Sequence, residues 1–474
     1  MKPAAITETH TAVVVLAGDR AYKAKKPVRF PFVDLTTPAL RRRACEREVE
    51  LNRRFAPDVY LGVATLRLRG EPGEPVVVMR RMPEECRLSA LVAASRSDAR
   101  DETVKVARLV AAFHAAAPTS AAVAEAASPP VVARTSLRNV DELDAARGHL
   151  LDAEDVESVR RLTERYLAGR GPLLRERAET SARDGHGDLL ADDVFCLPDG
   201  PRVLDCLEFD DALRYGDVLA DVAFLAMDLE RLGGTALART FLDAYAGFSG
   251  ATWPPSLEHF YVAQRALVRA KVACLRSDSV QAHDLMRIAL RHLRAGRVRL
   301  VLVGGLPGTG KSTVARGLAD RFGLTLLRSD AVRKQLHGIA PGTWHPERYG
   351  EGLYDAGHTA ATYAELLREA TLALTHGESV VLDATWLDPA MRARAAAVAA
   401  AAHADLVQVR CTAPADVARQ RVTERAFAHA DISDATPEVA ERMAATATAW
   451  PDAFVIDTTA PPPATLARVA ARLA

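Results

Sequence analysis

The stretch GLPGTGKST, residues 305–313, fits the spacing G-x-x-x-x-G-K-[ST]. Each residue type there suits a phosphate. Gly305, Gly308 and Gly310 let backbone N–H groups turn inward around phosphate oxygens. Lys311 reaches the terminal phosphates, and Ser312, with Thr313 beside it, can ligate Mg²⁺. Three later segments extend nucleotide binding towards phosphoryl transfer. In LLRSDAVRKQL, Asp330 follows a short apolar run and Arg333 comes about one helical turn later. The carboxylate can orient or deprotonate a hydroxyl, and the arginine can hold an anionic substrate group. In SVVLDATW, an apolar strand ends in Asp383, placed as an acid near Mg²⁺. In ADVARQRVTERA, Arg421 and Arg425 share a helix face, as in a lid over a transferring phosphate. Plainer readings stand beside these. Ser329 or Asp330 caps a helix, Asp383 is an ordinary strand end, and the arginines form a solvated face.

These residues need a scaffold, and the flanking sequence supplies one. RVRLVLVGG is a continuous apolar strand running into the glycine loop, and STVARGLADRFG is a helix whose positive N-terminal end faces the phosphates. Val314, Leu318 and Phe322 recur at the spacing of a core-facing helix. The half from about residue 298 to 460 resembles the AAA-type P-loop small-molecule kinases: gluconate and shikimate kinases, polynucleotide kinase and zeta-toxin-like kinases. The resemblance implies a parallel sheet flanked by helices, ATP with Mg²⁺, and γ-phosphate transfer to a hydroxyl. The segment between Asp330 and Asp383, with His345, Tyr349 and Tyr354, would set specificity.

The preceding half has a different plan. TAVVVLAG and AYKAKKPV read as two strands about a turn, a charged helix follows in PALRRRACEREVELNRRFA, and LGVATLRLRG and VVVMRRMP read as further strands. Residues 88–180 are mostly helical, 115–132 reads as a loop rich in Ala, Pro and Ser, and helical patterns return over 211–295. HGDLLADDVF (186–195), PRVLDCLEFDDALRYGD and YGDVLADVAFL together resemble the aminoglycoside phosphotransferase family, relatives of protein kinases. That resemblance implies Asp188 as catalytic base, Asp193 and Glu208 as metal ligands, with Asp205 and Asp210 close to the latter, and a strand lysine for the ATP phosphates. Lys23 and Lys25 share a strand face and both are candidates, Lys23 being favoured by the A-x-K spacing. Glu48 would pair with it, and VVVMRRMP falls at the adenine hinge. The family carries Asn where this chain has Asp193, and Asp where it has Glu208. Oxygen ligands survive, with one extra negative charge.

The expected architecture is therefore two domains. An α+β, protein-kinase-like domain occupies 1–292, and an α/β P-loop kinase with a parallel sheet occupies 296–474. At 474 residues and 49% hydrophobic, the chain can bury two such cores. Lys+Arg and Asp+Glu both total 61, so no bulk charge favours nucleic acid or an anionic membrane. No apolar run is long enough to span a bilayer, the six cysteines show no zinc spacing, and the start has no signal-type segment, so a cytoplasmic setting with buried free thiols is expected. The whole resembles bifunctional phosphotransferase/ATP-binding proteins acting on a sugar or aminoglycoside-like molecule. A kinase-like ligand sensor controlling one P-loop kinase, or a toxin-like kinase acting on a nucleotide sugar or nucleic-acid end, are the alternatives. Oligomeric state is not legible.

Overall fold

The computed structural model describes residues 5–8, 11–30, 33–67, 73–340, 343, 352–428 and 436–472. Two compact units emerge. One comprises Met1–Thr163, Leu174–Trp253 and Leu257–Ala295; the other comprises Glu164–Leu173, Pro254–Ser256 and Gly296–Ala474.

The first unit begins with a five-stranded sheet whose spatial order is Ala5–Glu8, Ala12–Ala17, Arg20–Lys25, Glu74–Arg80 and Tyr60–Leu66, antiparallel throughout. A tight turn at Gly18–Asp19 joins the second and third strands, and Gly18 has φ +61°, which glycine adopts without steric cost. Lys23 pairs across with Val14 and Val77, so Lys23 and Lys25 fall on one face. Helix Pro38–Asn52 crosses beside the sheet. Its start is well specified: Thr37 caps it by accepting the Leu40 N–H, and Pro38 occupies the first turn. Cys45, Val49, Val77 and Met79 share a core there, while Glu48 and Asn52 are buried polar residues of the same helix.

The remainder of this unit is mostly helical around two short sheets. Strand Ala182–Asp184 pairs with Tyr215–Asp217, and Val194–Leu197 forms a hairpin with Gly200–Val203. The loop between Asp184 and Val194 carries HGD. Helix Val218–Arg231 is buried from Val218 to Leu229 and is capped by Asp217, whose side chain accepts the Leu219 N–H. Residues 115–132, expected as a loop, instead hold helix Ala121–Ala126 and the start of helix Pro129–Asp144. Ser120 caps the former by accepting the Val123 N–H, and Pro129 sits where a missing N–H costs nothing.

The second unit has a five-stranded parallel sheet in the order Thr325–Arg328, Val380–Asp383, Arg299–Gly304, Asp405–Thr412 and Phe454–Asp457. Its central strand explains the unbroken apolar run. Leu300 and Leu302 enter one core with Leu366, Leu382 and Trp386, while Val301 and Val303 enter another with Val314, Leu318 and Ile456. A strand covered on both faces has no polar side. The helix expectation needs one correction. Val314 and Leu318 are buried, but Phe322 is 40% exposed because the helix stops there, at Gly323, and Ala315 and Ala319 complete the buried stripe.

No disulfide forms. Cys45, Cys196, Cys206 and Cys411 are buried, as expected of free thiols, while Cys86 and Cys274 are partly exposed. Among the described residues no helix is long and apolar enough to cross a membrane.

Candidate active sites

The N-terminal site gathers five charged residues from three distant segments. Lys23 Nζ lies 2.9 Å from Glu48 and 2.6 Å from Asp205. Lys25 Nζ lies 2.6 Å from the other Glu48 oxygen and also pairs with Glu208. One buried glutamate thus bridges both strand lysines, so both candidates belong to one ion cluster. Burial alone would lower Lys23, but Asp205, Glu48 and Glu208 outweigh it and hold it well above the ordinary lysine range. Glu48 would rise by burial, and the two lysines reverse that and keep it ionised.

Asp205, which the sequence places close to Glu208, joins this cluster through Lys23. The metal acid was expected at Glu208, yet the hairpin strand ends at Val203, and Asp205 follows in a left-handed turn with φ +63°. The Asp205 N–H donates to the Tyr60 hydroxyl at 3.1 Å, and the Cys206 N–H donates to Asn52 Oδ1 at 2.9 Å. Asn52 lies one turn beyond Glu48 on the same helix, so a single helix fixes both the lysine partner and the Asp205 turn. Burial pushes Asp193 well above the carboxylate range, and Asp205 and Asp188 add to the effect, which groups these three acids at one site. Glu208 instead sits with Lys25.

The HGD loop is held from below by Asp221. Its carboxylate accepts the backbone N–H groups of His186 and Gly187, each at 2.8 Å, and contacts His114 Nε2 at 3.0 Å. A Cβ at Gly185 would lie 2.8 Å from the same carboxylate, so the approach requires glycine there. Burial alone would raise Asp221, but His114, His186 and the loop amide hold it well below the usual range. His186 is fully buried and lowered by that burial, hence neutral. With Nε2 3.0 Å from the Leu204 carbonyl, the proton resides on Nε2, and Nδ1 accepts the Asp188 N–H at 3.4 Å. Asp188 is left half-buried at the site, its carboxyl raised by burial and opposed by Arg269, 3.3 Å away.

The C-terminal site is built on the glycine loop. Gly305, Gly308 and Gly310 have φ of +143°, +81° and +76°. A Cβ at Gly308 would stand 2.2 Å from the Ala418 carbonyl oxygen. Lys311 opens helix Lys311–Phe322 and is buried at its first turn, followed by Ser312 and Thr313. Asp383 ends the adjacent strand, in register with Val303 and Arg328. One carboxylate oxygen is 3.1 Å from Arg328 Nε, and the other is buried without a hydrogen-bond partner. Asp330 lies in the first turn of helix Ser329–Leu336 and makes no side-chain cap. It pairs with Arg333 at 2.8 Å, and that guanidinium lies 4.5 Å from the Tyr354 ring centre. The plainer capping reading of Asp330 therefore does not apply. Nor is Arg421 a solvated surface group: it donates to the Thr458 carbonyl at 2.9 Å and reaches the Gly308 carbonyl at 3.4 Å. Beside it is a cavity of about 380 Å³ whose lining includes Gly310, Val314, Arg421, Thr458, Pro461 and Leu466. The Arg425 side chain, His345 and Tyr349 lie outside the described residues.

Among the described residues no three His, Cys, Asp or Glu side chains form a self-sufficient metal site. The donors do suit a hard cation that takes its remaining ligands from phosphate and water: carboxylates in the N-terminal site, and the unpartnered Asp383 oxygen in the other.

Comparison with known proteins agrees with this division. Residues 17–259 match the phosphotransferase enzyme family, and residues 300–450 match an AAA domain. An uncharacterized protein of Mycobacterium tuberculosis is 44% identical over 464 residues, spanning 96% of this chain and 92% of that protein. Among solved structures, the GDP complex of aminoglycoside 2'-phosphotransferase-IIIa aligns over 60% of this chain and 90% of its own at 14% identity and TM-score 0.40. A sugar kinase from Janibacter aligns over 37% of this chain and 93% of its own at 21% identity and TM-score 0.28. The chain belongs to the phosphotransferase enzyme family, in a two-domain form that joins a kinase-like N-terminal half to an AAA-type P-loop kinase domain.

Proposed function

We propose that this kinase has two separate nucleotide sites, each using ATP to phosphorylate a hydroxyl of a small molecule. The observation that carries the reading is Lys23 held between Glu48 and Asp205, in a chain that also has a complete phosphate loop. Mg²⁺, when bound, would neutralise phosphate charge and fix the oxygens in line; Asp193 and Asp205 would hold it in one site, with Glu208 alongside, and Ser312 and Asp383 in the other.

The chain's own residues then divide the work. In the N-terminal site Lys23 binds phosphate oxygens, and Glu48 keeps it charged and aimed. Asp188 accepts the hydroxyl proton as that oxygen bonds to the γ-phosphorus, while the bond from the γ-phosphorus to the β-phosphate oxygen breaks and its electron pair leaves on that oxygen with ADP. In the C-terminal site the loop N–H groups and Lys311 hold the phosphates. Arg421 and Pro461 face the cavity that would take the base. Asp330 takes the acceptor proton, and Arg333 binds an anionic part of that acceptor.

ATP consumption against a panel of hydroxylated acceptors tests this. Lys311→Ala and Asp188→Ala should each abolish turnover of one acceptor and spare another. Loss of all turnover in one variant with none in the other rules out two active sites. The raised Asp193 carboxyl and the engagement of Asp205 by Lys23 favour one competing reading, a kinase-like ligand sensor. Calorimetry on the full chain carrying Lys311→Ala separates the two: ATP binding with Mg²⁺ supports the enzyme, and metabolite binding without ATP supports the sensor.

A further inference from the structure

The N-terminal site is electrostatically two-sided. Asp205 and Asp188 both act on Asp193, and the proposed function gives Asp193 and Asp205 to the cation. Two arginines of helix Pro255–Leu275 approach Asp188 as well. Arg269 Nη1 donates to Asp188 Oδ2 at 3.3 Å, with its side chain 23% exposed. Arg265, one turn earlier, is braced by a bond from Nε to the Ala220 carbonyl at 2.8 Å and by the Phe224 ring, 4.3 Å from its guanidinium carbon. Its charge also acts on Asp188, and on it in turn act Asp221 and Tyr261. Asp221 is already engaged by His114 and the loop amides. Lys271, on the same helix, is held by Asn139 and Glu142.

We infer that the N-terminal site takes an anionic acceptor, a hydroxylated carboxylate or phosphate ester, whose charged group is bound by Arg269 with support from Arg265. The inference rests on Asp188 being the base. An acceptor hydroxyl that reaches Asp188 brings its neighbouring atoms within reach of Arg269. A guanidinium stays charged at every accessible pH and matches carboxylate or phosphate with two parallel hydrogen bonds. Without acceptor, Arg269 rests on Asp188; an anionic acceptor takes over that guanidinium and frees the carboxylate for the proton. A polycationic acceptor such as an aminoglycoside would meet like charge at the same point.

One carbon skeleton carrying different charges tests this. Glucosamine, glucose, gluconate and glucose 6-phosphate are offered to the full chain bearing Lys311→Ala, so that turnover reports the N-terminal site, and binding is measured in parallel by calorimetry. Gluconate or glucose 6-phosphate should bind and be phosphorylated, and which of the two does so separates carboxylate from phosphate recognition. Arg269→Gln should raise the KM for that anion by about tenfold to a hundredfold with a smaller change in kcat, and Arg269→Lys should recover part of it. A merely structural Arg269 would shift kcat or the pH profile equally for every acceptor. Preference for glucose or glucosamine, or an unchanged KM in Arg269→Gln, overturns the anion site while leaving Asp188 catalysis intact. Arginine-dependent anion binding without turnover keeps the site and overturns the catalytic reading. Failure of both anions to bind overturns the inference.

Discussion

Replacing Glu48 with Gln should cost less stability than replacing Lys25 with Met, although Glu48 is the residue both lysines share. Five formal charges meet there: Lys23 and Lys25 against Glu48, Asp205 and Glu208. The cluster carries one excess negative charge. Glu48 is fully buried and Lys25 has only 1% of its side chain exposed. Breaking a buried pair so that a charge is stranded costs about 3–5 kcal/mol. Glu48→Gln strands nothing, because Lys23 keeps Asp205 and Lys25 keeps Glu208, so the cost falls at or below the lower end, about 2–3 kcal/mol. Lys25→Met leaves Lys23 alone against three acids and should reach the upper end, about 4–5 kcal/mol, a large fraction of a domain's stability. Hydrogen exchange across strand Arg20–Lys25 under increasing urea reads both values locally, without requiring the two units to unfold together. A Glu48→Gln cost equal to or above that of Lys25→Met would refute the charge counting.

Other outcomes follow from the same structure. Asp193 is raised by burial and by Asp205 and Asp188, so its protonated form competes with a cation. Mn²⁺ binding should therefore strengthen as pH rises through the folded pKa, and the dependence should flatten in Asp193→Asn. That variant should also be more stable than the parent at neutral pH, because a raised acid opposes folding once the unfolded chain ionises, and the gain should fade as pH falls towards about 4. Gly308→Ala forces a left-handed alanine, about 1–2 kcal/mol, and sets a Cβ 2.2 Å from the Ala418 carbonyl oxygen, so ATP-analogue affinity at the C-terminal site should fall at least about tenfold. His259 meets His292 at 2.9 Å, and burial followed by the His292 charge lowers it to about 4. It stays neutral in the folded protein while the unfolded chain protonates, so stability should drop between about pH 6.5 and 4, by up to roughly 3 kcal/mol. Urea titrations of His259→Phe against the parent, whose stability difference should change only across that window and stay constant on either side of it, check it.

What the sequence disclosed followed the range of the interaction. The phosphate loop was legible because strand, glycines, lysine and helix are contiguous, and each acts through local backbone geometry. The helix carrying Glu48 was legible from its charged helical stretch, which opens at Pro38. Asp205 was legible only as a neighbour of Glu208, because its placement depends on a hairpin ending at Val203 and a left-handed turn held by Tyr60 and Asn52, more than a hundred residues away in sequence. The motif placed the metal acid at Glu208 by alignment of type, and in the fold that carboxylate pairs with Lys25 as Asp205 does with Lys23. Arg265 and Arg269 carry no motif, and only the packing of their helix brings them to Asp188. The helices within 115–132 were obscured by composition, since Pro and Ser mark loops and helix starts alike.

The number of nucleotides bound per chain tests the central claim most directly. Equilibrium dialysis with a non-hydrolysable ATP analogue and Mg²⁺ should give two per chain for the parent protein, one for Lys311→Ala and one for Lys23→Met. A single nucleotide per parent chain, lost entirely in Lys311→Ala, would contradict two independent phosphotransfer sites.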